Sequence, residues 1–243
     1  MSDTSTYDPR RNQLLDGLDA AEYDRIAGLL EPYDASLRTQ VHDPGAPIEH
    51  VYFPLHCVFS LVAGIGRSTV EVNTIGFEGM VGLPVFLGSA VSPHSAFCQV
   101  PGPAVRMRSS ALVDFLSSGD GSMHSRLHRY TQSTIVQLAQ SVACNQLHST
   151  EQRAARWLLM TRDRVAGDTF PMTQQFLAQM LGVRRATVSG VATALQQAGI
   201  IIYRRGVISI VDTAALEATT CACYRLVRDE HAELLDGRPP GGT

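Results

Sequence analysis

Two short helical patterns that meet at a glycine constrain the fold of this chain more than any other feature. Residues 173–199 read TQQFLAQMLGVRRATVSGVATALQQAG. Thr173 is suited to cap the first helix, and Gly182 can adopt the positive φ that ends it. Val183 is apolar and can fill the space between the helices. Because two helices joined by a short glycine-containing turn cross steeply, the stretch predicts a helix–turn–helix unit.

The second helix of this unit opens with basic and hydroxyl-bearing residues. A helix–turn–helix presents the first residues of its second helix to the major groove of DNA. Arg185 could pair two N–H donors with one guanine, while hydroxyl groups could reach a phosphate or a base edge. A basic hairpin tip, Arg204-Arg205-Gly206, would touch the DNA backbone as a wing. The predicted DNA-binding residues are Thr173, Gln174, Arg184, Arg185, Thr187, Ser189, Arg204 and Arg205. The alternative is a helical hairpin with a solvated arginine pair.

The charge of the chain is unevenly distributed. Its formal net charge is −3, which by itself does not favour nucleic acid as a partner. Residues 151–210, however, hold eight arginines and only three acidic residues. A basic segment attached to an acidic body is typical of a protein with one DNA-facing region. The chain has no lysine, so arginines, backbone N–H groups or neutral donors must make any phosphate contact.

The first half of the chain has a β texture. After a short helix that begins at Asp19, short apolar runs from about 35 to 108 are separated by Gly and Pro at a spacing of roughly 8–12 residues. This spacing predicts an all-β barrel or sandwich. Residues 67–74 alternate, so Glu71 and Asn73 are expected on a solvent-exposed face of one strand.

Residues 122–148 form a run without Gly or Pro and predict a long helix. Within it a narrow seam follows a 4-3-4-3 spacing, and its members are Thr131, Ile135, Leu138, Val142 and Asn145. Such a seam is typical of a coiled-coil contact, with a polar residue fixing the register. It favours a homodimer. The alternative is an amphipathic helix that lies on the β domain.

The remaining features argue against other classes of protein. The chain has an odd number of cysteines, five, and its first residues do not resemble an apolar leader. A disulfide framework is therefore not expected. Cys221 and Cys223 lack a second ligand pair, since His231 is a single residue, so no metal site is expected. Common catalytic motifs are absent, which argues against an enzyme. No apolar run reaches the roughly 18 residues of a membrane span, and the polar first residues predict a cytoplasmic protein.

Three segments resemble the Crp/Fnr family of bacterial transcription regulators. They are MTQQFLAQMLGVRRATVSGVATALQQAGII at 172–201, YRRGVISI at 203–210 and EGMVGLPVFLG at 78–88. The resemblance covers nearly the whole chain. It implies an α+β fold with an N-terminal, jelly-roll-like β-roll of the cyclic-nucleotide-binding type, a long dimerisation helix and a C-terminal winged helix–turn–helix.

The resemblance also implies boundaries and partners. The expected parts are an effector-type β-roll domain with its N-terminal helix at 1–120, a dimerisation helix at 121–148 and a DNA-binding domain at 149–243. A dimer would read a two-fold symmetric DNA site with half-sites one helical turn apart, and would contact RNA polymerase. Ala186 and Gly190 replace an acidic and a basic residue of the family's recognition helix, so the half-site sequence is not inferred.

The candidate effector pocket departs from the family pattern. Cyclic-nucleotide binders hold the cyclic phosphate with an Arg-Ser/Thr pair, and His94-Ser95 stands in that place here. A neutral histidine cannot form the bidentate contact of a guanidinium. Glu78 matches the family's acid for a ribose hydroxyl, whereas Leu138 lies where adenine-binding hydroxyls would be. The predicted pocket residues are Glu78, Gly79, His94, Ser95 and Leu138.

No effector or cofactor is assigned from the sequence. A cyclic nucleotide is disfavoured by the pocket, and an iron–sulfur cluster is disfavoured because none of the first 56 residues is Cys. Haem binding by His50, His56 or His94 has weak support, since a lone histidine is more often structural.

We therefore expect a homodimeric DNA-binding transcription regulator that reads its site through the helix beginning near Arg184, with a sensor-like roll whose effector is unknown or absent. The alternative is a cyclic-nucleotide-binding signalling module whose C-terminal domain serves protein contacts. Salt-dependent DNA affinity separates the two.

Overall fold

The structure is a computed structural model that describes residues 6–65, 68–117, 121–165 and 167–236. A short 3-10 helix at Pro9–Arg11 precedes the elements named below. The helices are α1 (Gln13–Asp16), α2 (Ala20–Ala27), α3 (Leu83–Phe86), α4 (Ser109–Ser117), α5 (Ser122–Leu147), α6 (Thr150–Arg162), α7 (Gln174–Leu181), α8 (Arg185–Gln197), α9 (Thr213–Thr219) and α10 (Cys223–Asp236). The strands are β1 (Glu31–Ala35), β2 (Gln40–His42), β3 (His50–Pro54), β4 (Val58–Ile65), β5 (Ser68–Ile75), β6 (Ser95–Val100), β7 (Gly102–Arg108), β8 (Thr169–Pro171), β9 (Ile201–Arg204) and β10 (Val207–Ile210).

Two antiparallel sheets form an N-terminal domain, called the roll below. One has the strand order β1-β7-β3 and the other β2-β6-β4-β5. Side chains alternate across β3, because successive residues of a strand point to opposite faces. Tyr52 packs with Phe59 between the sheets, whereas Val51 and Phe53 pack against the helices on the other side. The β texture predicted for 35–108 is thereby confirmed, except that one short helix, α3, interrupts it.

The prediction of a solvent-exposed face on β5 was wrong. Glu71 accepts a 2.6 Å hydrogen bond from the indole N–H of Trp157 on α6. Asn73 is buried and accepts a hydrogen bond from the Gln137 amide of α5. The polar residues of this strand face helices that carry polar partners. Alternation in the sequence alone does not show whether such a polar face meets solvent or a polar helix surface.

Helix α5 runs for 26 residues from the roll to the C-terminal domain. Its first turns bury Met123, Leu127 and Tyr130 against the roll. Its last turns pack against α10, which returns along it. A different face, which carries the predicted seam, is left largely uncovered by this chain.

The C-terminal domain contains α6–α10 and a small sheet of order β8-β10-β9. Leu158, Leu177, Val188 and Ile208 share one core, and the same core includes Val62 of the roll. The C-terminal domain is therefore packed against the roll. The predicted α+β class with a roll, a long helix and a winged helix–turn–helix is confirmed, while the exact boundaries at 120 and 148 stay predictions. Within the described ranges, no helix is long and apolar enough to cross a membrane.

Candidate nucleic-acid interface

The turn between α7 and α8 has the geometry that its sequence predicts. The Thr173 hydroxyl oxygen accepts a 3.1 Å hydrogen bond from the Phe176 N–H and caps α7. Gly182 adopts φ +65°, a left-handed conformation that glycine reaches without the steric cost of a Cβ. The Val183 N–H donates to the Ala178 carbonyl at 3.0 Å, which closes a Schellman-type end. The glycine thus turns the chain directly into α8.

Helix α8 has one buried face and an exposed, basic start. Val188, Ala192 and Leu195 are buried in the core. Arg184, at the N-cap, and Arg185, the first helical residue, are both exposed. In the described part of the chain, neither guanidinium forms an ion pair. Both are available to an outside anion.

The remaining predicted residues lie on α8 and on the wing, and all are at least partly exposed. Thr187 is exposed and Ser189 is half-buried. The wing is the β9–β10 hairpin, and its two-residue tip is Arg205 at φ +49° and Gly206 at φ +78°. Two successive positive φ values match the twist of a tight hairpin. Arg204 and Arg205 are exposed.

The start of α7 is linked to the wing. The Gln174 N–H donates a 3.1 Å hydrogen bond to the Tyr203 hydroxyl. One of the backbone donors expected to meet a phosphate is therefore already paired in this conformation, and Thr173 already serves as the cap. Both residues are half-buried. Sequence reasoning did not include Tyr203, whose hydroxyl fixes the wing against α7.

A second set of contacts holds the C-terminal domain against the roll. The carboxylate of Glu71 accepts hydrogen bonds from Trp157 at 2.6 Å and Thr74 at 2.8 Å, and from Ser60 at 2.6 Å. Burial raises the pKa of Glu71, and these donors oppose that rise. Phe176 of α7 packs edge-on against Phe97 of the roll, with ring centroids 5.9 Å apart.

Glu78, the predicted ribose-binding acid, forms an ion pair with another residue of the same chain. Its Oε1 lies 2.7 Å from the Nε of Arg164, which follows α6, and both side chains are buried. The Gly76 N–H also donates to Oε1, at 3.1 Å. Burial would raise the pKa of Glu78, but Arg164, His231 and backbone N–H donors together outweigh that effect and hold the pKa below its ordinary value. Sequence reasoning missed Arg164, because it lies 86 residues from Glu78.

The predicted pocket residues do not all meet. A cavity of about 190 Å³ lies beside Glu78 and Arg164, and α10 lines it with Tyr224 and His231. Gly79 lies against the Tyr130 ring, where any side chain would collide with it. The other three predicted residues do not line this cavity: His94 and Ser95 lie at the start of β6, and Leu138 is half-buried on α5.

The seam residues of α5 lie on a face that this chain leaves mostly open. The exposed fraction is 55% for Ile135 and 66% for Val142, and Asn145 is also exposed. Thr131 and Leu138 are half-buried. Exposed apolar side chains that repeat along one face of a long helix are typical of an interface that a partner covers.

One group of residues corrects an expectation about metal ligands. Cys221 and Cys223 do have a second ligand pair, and it comes from Cys144 and His148 at the end of α5. These four are called the Cys/His cluster below. His231, the histidine considered from the sequence, lies instead beside Arg164. The i, i+4 spacing of the α5 pair is visible in the sequence, but Cys221 lies 77 residues from Cys144 along the chain.

Comparison with known proteins supports the same architecture. The family model of the Crp-like helix–turn–helix domain matches residues 152–219, which span α6 to α9. FixK2 from Bradyrhizobium japonicum is 14% identical, with a TM-score of 0.64 over 79% of this chain and 98% of that one. A transcriptional regulator of the CRP family from Thermus thermophilus, TTHB099, is 17% identical, with a TM-score of 0.64 over 78% and 95%.

A further solved structure is that of the c-di-GMP responsive global regulator CLP from Xanthomonas campestris. It is 15% identical, with a TM-score of 0.60 over 80% of this chain and 100% of that one. No curated protein sequence matches the chain. At these identities the solved structures establish the fold, and the family model establishes the DNA-binding domain. The chain thus contains a Crp-like helix–turn–helix domain within the fold of Crp/Fnr family transcriptional regulators.

Proposed function

We propose that this protein is a homodimeric transcription regulator that binds a two-fold symmetric DNA site through α8. The observation that carries the proposal is the exposed pair Arg184 and Arg185 at the start of a helix whose other face is anchored in the core. A helix N-terminus adds favourable backbone N–H groups for an anion. The matched Crp-like domain supports the same assignment.

The predicted residues divide into two roles. Arg185 reads a guanine edge in the major groove, with Thr187 and Ser189 reaching a base edge or a phosphate beside it. Arg184 and the wing arginines contact phosphates. Thr173 and Gln174 do so through the donors left to their side chains, the hydroxyl proton and the amide N–H groups. In this scheme, Arg185 provides specificity and the others position the protein on the duplex.

Dimerisation through the α5 seam sets the geometry of the site. Ile135 and Val142 on one chain would pack against their copies, which buries side chains that are now exposed. Asn145 would pair across the seam and fix its register. Two copies of α8 related by a two-fold axis then meet half-sites about 34–36 Å apart.

The roll has no assigned effector in this proposal. Because Arg164 already neutralises Glu78, the acid that would receive a ribose has a structural, interdomain role. A cytoplasmic regulator of this kind would act by touching RNA polymerase from its DNA site. A signal sensed by the roll would reach α8 through the Glu78–Arg164 and Glu71–Trp157 contacts or through the α5 seam.

The proposal is tested with DNA duplexes enriched from a random pool and a fluorescence anisotropy titration. Arg185→Ala should weaken binding to the enriched site about 5- to 150-fold, the equivalent of about 1–3 kcal/mol, and relax the preference at one base pair. Arg225, which is exposed on α10, provides a matched control, and Arg225→Ala should leave affinity unchanged. Equal affinities for wild type and Arg185→Ala would remove α8 from its assigned role.

The salt dependence of affinity distinguishes phosphate contacts from base reading. Arg204→Ala should weaken binding to all sequences alike and reduce the slope of log affinity against log salt by about 1. An affinity that does not depend on salt would instead favour the alternative, a module whose C-terminal domain binds protein. Under that alternative, calorimetry should detect cyclic AMP or cyclic GMP binding to the roll.

A further inference from the structure

Four metal-ligand side chains converge where α10 begins against the end of α5. Cys144 and His148 lie one helical turn apart, at the end of α5 and its cap, so both point to the same side. Cys221 and Cys223 approach from the start of α10. Their ligand atoms all lie within 4.8 Å of one another, the three thiols are buried and His148 is half-buried.

Two of the separations between these atoms are close to the edges of a coordination tetrahedron. The Sγ atoms of Cys144 and Cys221 are 3.6 Å apart, and the Sγ of Cys223 lies 3.5 Å from the Nδ1 of His148. For a tetrahedral zinc ion with bonds of about 2.3 Å to sulfur and about 2.0–2.1 Å to nitrogen, the edges are about 3.8 Å and about 3.6 Å. These two separations and the 4.8 Å limit on the rest bring the four ligand atoms close enough to share one ion.

We infer that the Cys/His cluster binds a single zinc ion through Cys144, His148, Cys221 and Cys223. Thiolate and imidazole ligands select a borderline-soft cation, and four of them in a tetrahedron are the donor set of structural zinc. A polynuclear iron–sulfur cluster would place several metal ions between the ligands, and atoms within 4.8 Å of one another leave room for one. All five cysteines are free thiols in the structure.

The surroundings of the cluster suit a site with excess negative charge. Three thiolates and one Zn²⁺ carry a net charge of −1. The Gln140 amide donates a 2.9 Å hydrogen bond to the Sγ of Cys223. Such donors around the ligands stabilise the thiolate form and orient it.

The chemistry of binding and the position of the site define its role. The ion binds the sulfurs as thiolates, so three protons leave to solvent, and His148 coordinates as a neutral imidazole. With four protein ligands, no position is open for a substrate, so the site is structural. It ties α10 to α5 next to the start of α6, and therefore holds in place the helix that lines the cavity beside Glu78.

The test measures metal in the full-length protein, purified under reducing conditions without chelator. Elemental analysis should find one zinc per chain. After zinc is exchanged for cobalt, the protein should show thiolate-to-cobalt charge transfer and the intense visible bands of tetrahedral cobalt. Because these measurements use the wild-type chain, they do not depend on how well any variant folds.

Variants then assign the ligands. Cys221→Ser and Cys223→Ser should lose stoichiometric zinc and alter the cobalt spectrum. Cys98→Ser, which changes a buried thiol of β6 outside the cluster, should keep both. The proposal is overturned if the wild-type protein neither contains zinc nor binds added zinc or cobalt stoichiometrically. It is equally overturned if Cys221→Ser and Cys223→Ser retain the full metal content.

Discussion

The buried ion pair between Glu78 and Arg164 offers a quantitative test of how the two domains are held together. The pair joins the roll to the residue that follows α6, and the exposed fractions of the two side chains are only 9% and 8%. Arg164 also donates to the Met160 carbonyl at 2.8 Å. Replacing the arginine with methionine keeps most of its length but leaves a carboxylate buried without its counter-charge.

The expected cost follows from that loss of the counter-charge. Removing one partner of a buried pair typically destabilises a protein by about 3–5 kcal/mol, because the remaining charge stays desolvated. Arg162, two residues away, supplies a matched control, since the side chains of its ion pair with Asp168 are far more exposed, at 32% and 52%. Surface pairs contribute at most about 1 kcal/mol. Arg164→Met should therefore cost several times more than Arg162→Met.

Urea unfolding followed by circular dichroism measures the difference. With a slope of about 2–3 kcal/mol per molar urea, Arg164→Met should lower the midpoint by about 1–2 M. The double variant Glu78→Leu/Arg164→Met should recover most of the loss, because it removes both charges. If the urea midpoint of Arg164→Met is no lower than that of Arg162→Met, the Glu78–Arg164 pair does not hold the domains together. The structural role assigned to Glu78 is then wrong.

Four further outcomes are expected. Gly182→Ala should destabilise the protein by about 1–2 kcal/mol in the same unfolding assay, because alanine is strained at φ +65°. Gly190→Ala should instead stabilise it by about 0.5–1 kcal/mol, because Gly190 lies within α8 and has open space around it. Val142→Glu should convert a dimer to a monomer in sedimentation, whereas Val113→Glu, at a similarly exposed site on α4, should not. Burial, and then a neighbouring arginine, lower the pKa of His231 to about 4, so the folded state resists its protonation and stability is lost as the pH falls from about 6.5 to about 4. His231→Asn should reduce this loss of stability at low pH. If the unfolding free energy of the variant falls with pH as steeply as that of the wild type, His231 is not its source.

The parts of the fold that were predictable are those fixed by neighbours in sequence. One stretch of the chain determines the cap at Thr173, the positive φ at Gly182 and the apolar face of α8. The structure shows each of these features. The hairpin tip at Arg205 and Gly206 is equally local. In such segments, propensity and hydrogen bonding within a few residues decide the geometry.

The parts that were missed depend on partners far away in sequence. Glu71 looked solvent-exposed because its hydrogen-bond partner, Trp157, is 86 residues away. Glu78 looked available to a ligand because Arg164 is equally distant. The Cys/His cluster needs two elements brought together by the return of α10 along α5. Periodicity within one segment carries no information about contacts between distant segments. The roles of these residues could therefore be identified only from the tertiary structure.

The most direct test of the central claim is selection of binding sites from a random pool of duplexes with the purified full-length protein. The proposed dimer should enrich a two-fold symmetric sequence whose half-site centres lie about 10–10.5 base pairs apart, the spacing of one helical turn. Failure to enrich any sequence, or enrichment of a single unrepeated half-site, would contradict a symmetric dimer that reads DNA through α8.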